Sequence, residues 1–143
     1  MEEDVYFDAA YKGTKDFRQQ QVRTTDATGF GAPSDDFAER GIDLNEQLIR
    51  NKPATFFMRV RGDAMVQAGI HDGDVVIVDR SIRPVSGKVV IAVLNGEMLI
   101  RRLEKTLNKV RLLPETPRLS PIDVDPFAEF SVWGVVTYVI HAV

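Results

Sequence analysis

Thr55-Phe56-Phe57-Met58-Arg59-Val60-Arg61-Gly62-Asp63-Ala64-Met65 decides how the chain is read, together with Gly69-Ile70-His71-Asp72-Gly73-Asp74 and Val75-Val76-Ile77-Val78-Asp79. β-Branched and aromatic residues at the two ends predict strands over Thr55–Val60 and Val75–Asp79. Between them, glycines punctuate a tight turn that presents one small side chain, Ala64. A serine at that place would sit between a strand end and a turn, where backbone N–H groups can bind an oxyanion. Alanine has no nucleophilic atom.

Downstream the signals stay β. Arg80–Gly87 is broken by Pro84 and Gly87 and reads as a loop. Lys88–Leu94 is nearly all apolar, the pattern of a strand buried on both faces. Asn95-Gly96 is a strong two-residue hairpin signal and turns the chain into Glu97–Leu103. Asn108–Leu113 partly alternates polar and apolar residues, marking a half-exposed strand, and Pro114, Pro117, Pro121 and Pro126 keep the next segment a loop. Phe130–Ile140 is a long closing strand in which Gly134 marks a bulge or a close backbone approach.

Upstream, Ile42–Asn51 predicts a short helix. Asp43 caps it with Glu46 three residues on, Leu44, Leu48 and Ile49 fall near one face, and Pro53 stops it. Residues 1–41 lack a sustained apolar period and carry turn formers from Gly29 to Asp36. They read as an extended arm, ordered only where it docks. The expected organisation is a flexible arm, 1–41, ahead of a compact, mainly β domain, 42–143, with one short helix and about six or more strands.

Composition narrows the function classes. A chain of 143 residues with 44% hydrophobic and 27% charged residues fits one globular domain. The absence of cysteine removes disulfides, thiolate metal sites and cysteine nucleophiles. No apolar run approaches the roughly 18–20 residues that span a bilayer, and the acidic N-terminus is unlike a signal peptide. A cytoplasmic protein without membrane attachment is expected. A net charge of −3 gives no general attraction to nucleic acid, so direct binding to it is not expected. The cluster Arg101, Arg102, Lys105, Lys109 and Arg111 has no interleaved aromatics and reads as a solvated hairpin face.

Conventional catalytic sites find little support. His71 lies in a turn and His141 near the C-terminus, so a metal site built on both would need distant carboxylates. No metal or other cofactor is expected. None of Ser81, Ser86, Ser120 or Ser131 sits in a nucleophile elbow, and there is no phosphate-binding loop or dinucleotide fingerprint. Spacing alone makes Arg101 an exposed strand arginine, although the three apolar residues before it would draw its stem into a desolvated place.

Several stretches in order resemble the LexA/UmuD family of self-cleaving serine peptidases: Gly62–Met65, Gly69–Asp74, Val78–Ser81, Asn95–Leu103 and Val132–Val136. The resemblance covers residues 29–143, and Gly41-Ile42-Asp43-Leu44-Asn45 is similar to the UmuD pattern. No helix-turn-helix of the LexA kind precedes the β-rich part. The resemblance implies a serine nucleophile and a lysine base whose pKa burial lowers. It also implies a self-cut in the arm, stimulated by the activated RecA filament during the SOS response to DNA damage. The shortened homodimer would then serve an error-prone translesion DNA polymerase as an accessory subunit.

Carried over by position, the resemblance puts the nucleophile on Ala64 and the base on Arg101. Gly62, Asp63 and Met65 lie beside the cleft, the cut falls between Thr28 and Gly29, and Gly29-Phe30 crosses the cleft. The family usually cuts after Cys or Ala, so Thr28 is a partial departure. The strand with Trp133 and Tyr138 is a candidate dimer surface, or these aromatics are core. Alanine cannot attack a carbonyl, and arginine, with a pKa above about 12, cannot accept a proton. The chain as written is expected not to cleave itself. A deliberate double change that traps the uncut form accounts for both positions, and so does a natural pseudo-peptidase acting as a dimerising binding protein or SOS antagonist.

Overall fold

A computed structural model describes residues 3–10, 43–49 and 52–143. The chain divides into two units, Met1–Ala10 with Ala54–Val143, and Tyr11–Pro53. In the second unit the described element is α1, Leu44–Leu48, shorter than the expected Ile42–Asn51. Its first helical bond runs from the Gln47 N–H to the Asp43 carbonyl at 3.0 Å, so Asp43 stands at the start, where a cap belongs. The expected cleavage segment, Thr28-Gly29, lies outside the described residues.

The first unit is mainly β. Its strands are β1 (Val5–Ala10), β2 (Thr55–Val60), β3 (Val75–Asp79), β4 (Val89–Leu94), β5 (Glu97–Lys105), β6 (Val110–Leu113), β7 (Ile122–Asp123) and β8 (Phe130–Ile140). They form one antiparallel sheet in the order β1-β2-β3-β8-β4-β5-β6-β7. Asn95-Gly96 makes the β4–β5 turn. Asn95 and Gly96 have φ of 50° and 85°, the left-handed pair that a two-residue hairpin needs, and Leu94 faces Glu97 across it.

β1 falls inside the stretch expected to be an arm. Val5-Tyr6-Phe7 is a three-residue β signal set among charges, too short to read alone, and it becomes a strand by pairing with the β2 edge from Val5↔Val60 to Ala10↔Phe56. The Asp4 N–H donates to the Met98 carbonyl at 2.9 Å, while the Arg61 N–H donates to the Asp4 carbonyl at 2.6 Å. The residue ahead of β1 therefore links the end of β2 to β5, and the sheet curls to bring those strands together.

The sheet buries apolar side chains on both faces. β4 shows why its sequence is nearly all apolar: Ile91 joins a cluster with Met58, Val60, Val76 and Ile100, while Val90 and Ala92 join another with Leu99, Leu103 and Leu112. β8 crosses the middle of the sheet with irregularities opposite Ile77/Val78 and Ile91/Ala92. Between them Gly134 makes the expected close approach, since a Cβ there would lie 2.6 Å from Val78 Cγ1. Gly134→Ala must push aside the buried Val78 side chain or β8 itself and is expected to cost about 1–3 kcal/mol of unfolding free energy by urea denaturation. An unchanged midpoint would show that the side chain or the strand gives way freely.

Candidate functional site

The turn after β2 is held from both sides. The Val60 N–H donates to the Asp74 carbonyl at 2.8 Å, and the Gly73 N–H donates to the Val60 carbonyl at 2.9 Å. Gly62 has φ of 86°, a backbone shape that a side chain would strain, and its N–H donates to Asp72 Oδ1 at 2.7 Å. The two glycine-punctuated motifs are thus one hydrogen-bonded unit, closed by a short 3-10 turn over Val66–Ala68.

Ala64 is 5% exposed and Met65 1%, and both pack in the apolar cluster that also holds Val5, Ile70 and Ile100. Met65 anchors the turn from inside the core, whereas Gly62 is exposed and Asp63 half-buried, ion-paired with Arg118. A segment without a clear sequence signal completes the frame. The Glu115 N–H donates to the Ala64 carbonyl at 2.8 Å, and the Gln67 N–H donates to the Glu115 carbonyl at 2.9 Å. The Glu115 carboxylate then accepts from Arg102 Nε at 2.5 Å, tying the turn to β5.

Arg101 is 5% exposed, so the exposed strand arginine expected from spacing alone is not what the fold makes. Its Nη1 donates to the Ile100 carbonyl at 2.8 Å and forms a short ion pair with Asp4 Oδ2. Its Nε is buried without a hydrogen-bond partner. Burial pushes the Asp4 carboxyl above its ordinary 3.8, and the attraction of Arg101 offsets only part of that. Ala64 and Ile100, the residue before Arg101, share one cluster, while the Arg101 head group reaches Asp4. A carboxylate therefore occupies the side-chain partner position of the expected base. Asp4 lies 97 residues from Arg101, and no local pattern announces it.

The basic hairpin is mostly neutralised in place. Arg102 pairs with Glu115, and Arg111 pairs with Glu104 at 3.1 Å and Asp123 at 2.8 Å. Trp133 is half-buried against the core, edge-on to Phe7 and Phe56 and beneath the Arg80 guanidinium, whereas Tyr138 is exposed. Ser81 is engaged by Asp79 Oδ1, with its hydroxyl donating at 2.5 Å.

The two histidines lie side by side. Their ring centroids lie 4.8 Å from each other, with the buried Asp74 carboxylate against both. The expectation that a metal site on them would need distant carboxylates is overturned, because β3 and β8 pair and bring their ends together.

The site so described is a buried alanine in a glycine-rich turn, packed in one apolar cluster with Ile100 of β5. The peptidase S24-like family model matches residues 22–137. The chain belongs to this LexA/UmuD family of peptidases. Protein ImpA of Escherichia coli is 40% identical in an alignment covering 79% of this chain and 77% of that protein. Protein SamA of Salmonella typhimurium is 39% identical over 79% and 78% of the two chains. LexA repressor 2 of Pseudomonas putida is 40% identical over 64% of this chain and 45% of its own length. Among the described residues no helix is long and apolar enough to cross a membrane.

Proposed function

We propose that the chain is a UmuD-type SOS mutagenesis protein whose self-cleavage is silenced at both dyad positions. The observations that support this reading are that Ala64 is buried in the glycine-rich turn, that Arg101 is buried on β5, and that the chain matches a peptidase family model. The first has no attacking atom and the second no basic lone pair, so the scaffold keeps a binding cleft without a reaction. In this reading the uncut arm, with Gly29-Phe30, docks in the cleft, and the protein acts as a homodimer in the cytoplasm. Its partners are the activated RecA filament and an error-prone DNA polymerase subunit. The test is damage-induced mutagenesis in cells that lack their own UmuD-type protein. The chain as it stands should give none, and Ala64→Ser with Arg101→Lys should restore it. No mutagenesis from a stable, restored chain would overturn the proposal.

One observation favours a second reading, a natural pseudo-peptidase that acts by binding or as an SOS antagonist. The buried Arg101 has a built-in carboxylate partner in Asp4, which gives arginine a structural role of its own. In the same cells, expression of the unaltered chain beside an active UmuD-type protein would then suppress mutagenesis.

A further inference from the structure

Away from the peptidase turn, Asp74, His71 and His141 gather at one end of the β3–β8 ladder. Val75 pairs with Ile140, so Asp74 and His141 are the next residues beyond that pair. His71 is brought back by a turn in which the Asp74 N–H donates to the His71 carbonyl at 3.0 Å. The His71 N–H in turn donates to Asp74 Oδ2 at 2.8 Å. Asp74 is 4% exposed, while the two imidazoles are 44% and 47% exposed. Burial works against its ionised form, yet the His71 N–H and His141 outweigh it and hold the Asp74 carboxyl below its ordinary 3.8.

We infer that His71, Asp74 and His141 bind a divalent transition metal, with zinc the ion that suits the donors best. One ligand atom from each lies within 4.8 Å of the others. His141 Nδ1 is 2.6 Å from Asp74 Oδ1, and His71 Nδ1 is 3.6 Å from Asp74 Oδ2, too long for a hydrogen bond. His71 Nδ1 is enclosed and has no hydrogen-bond partner, and in the tautomer protonated at Nε2 it presents an unused lone pair beside the Asp74 carboxylate. Donors around a tetrahedral zinc at about 2.0–2.1 Å lie about 3.3–3.5 Å apart. Reaching that from the widest separation takes rotation of half-exposed rings rather than movement of the sheet. Two imidazoles and one carboxylate suit zinc, cobalt, nickel or copper, whereas calcium and magnesium require oxygen donors throughout. The backbone bond to Asp74 Oδ2 supplies the outer support that orients a ligating carboxylate. With three protein ligands, the ion keeps one position for water or a further ligand.

The test uses the full, metal-stripped chain titrated with zinc chloride at pH 7.5. His71 and His141 are the only two histidines, so their imidazole resonances are read directly in the unaltered protein. The expected result is one zinc per chain with both imidazoles shifting together. His71→Ala and His141→Ala should each weaken binding at least about tenfold. Lowering the pH to 5.5 should weaken it likewise, since protonated imidazoles cannot ligate. Cobalt(II) at the same site should give a visible spectrum with nitrogen and oxygen ligation. Unmoved imidazole resonances at equimolar zinc, or undiminished affinity in the double alanine variant, would overturn the assignment.

Discussion

Asp4→Leu is expected to lower the unfolding free energy by about 2–3 kcal/mol. Removing one partner of a fully buried ion pair costs roughly 3–5 kcal/mol, because the remaining charge stays desolvated and unpaired. The figure falls below that range here because the Asp4 side chain retains 17% exposure against 7% for Arg101. Asp4 also holds Met98 and Arg61 through its backbone, and those bonds survive the substitution. The loss therefore measures the carboxylate. The double variant Asp4→Leu with Arg101→Met should recover most of the stability, since neither charge is then left alone. Urea denaturation of the four proteins closes the cycle. A loss below about 0.5 kcal/mol for Asp4→Leu would mean that Arg101 gains nothing from its partner, the usual value of an exposed pair.

Stepwise restoration of the dyad carries the other large effect. Ala64→Ser alone should leave the chain uncut at neutral pH, because arginine cannot take the serine proton. Arg101→Lys alone should leave it uncut because there is no attacking atom. Together they should produce cleavage, and the scale is set by hydrolases in which loss of the nucleophile costs roughly 10^6-fold in kcat. The Asp4 carboxylate facing position 101 adds a second expectation. A carboxylate partner holds a lysine in its charged form, so the restored chain should cut faster as pH rises. Asp4→Asn in that background should move the midpoint of the rate profile to lower pH. A profile unmoved by Asp4→Asn would show that the aspartate leaves the site before reaction.

Much of the β unit was legible because its signals are local. The apolar run before Asn95-Gly96, the hairpin itself and the Gly134 approach each rest on residues adjacent in the chain. The glycine-punctuated turn around Ala64 was legible as a turn for the same reason. What escaped the sequence depends on sheet order. Asp4 meets Arg101 only because β1 joins the β2 edge of a sheet that curls toward β5. Glu115 reaches the Ala64 turn from a proline-broken loop that carries no periodic signal. His71 and His141 meet because β8 inserts beside β3. Spacing alone makes Arg101 an exposed strand arginine, while the three apolar residues before it draw its stem inward; it is buried, with the Asp4 carboxylate, just ahead of β1, against its head group.

The proposed function has a self-cleaving scaffold disarmed at Ala64 and Arg101. The direct measurement is the intact mass of the Ala64→Ser, Arg101→Lys chain after incubation with activated RecA filament, beside the unaltered chain. The unaltered chain is expected to keep its 16.0 kDa mass, while the restored chain yields two fragments that meet between Thr28 and Gly29. A restored chain that folds normally and stays whole, or an unaltered chain that is cut at the same bond, would contradict it.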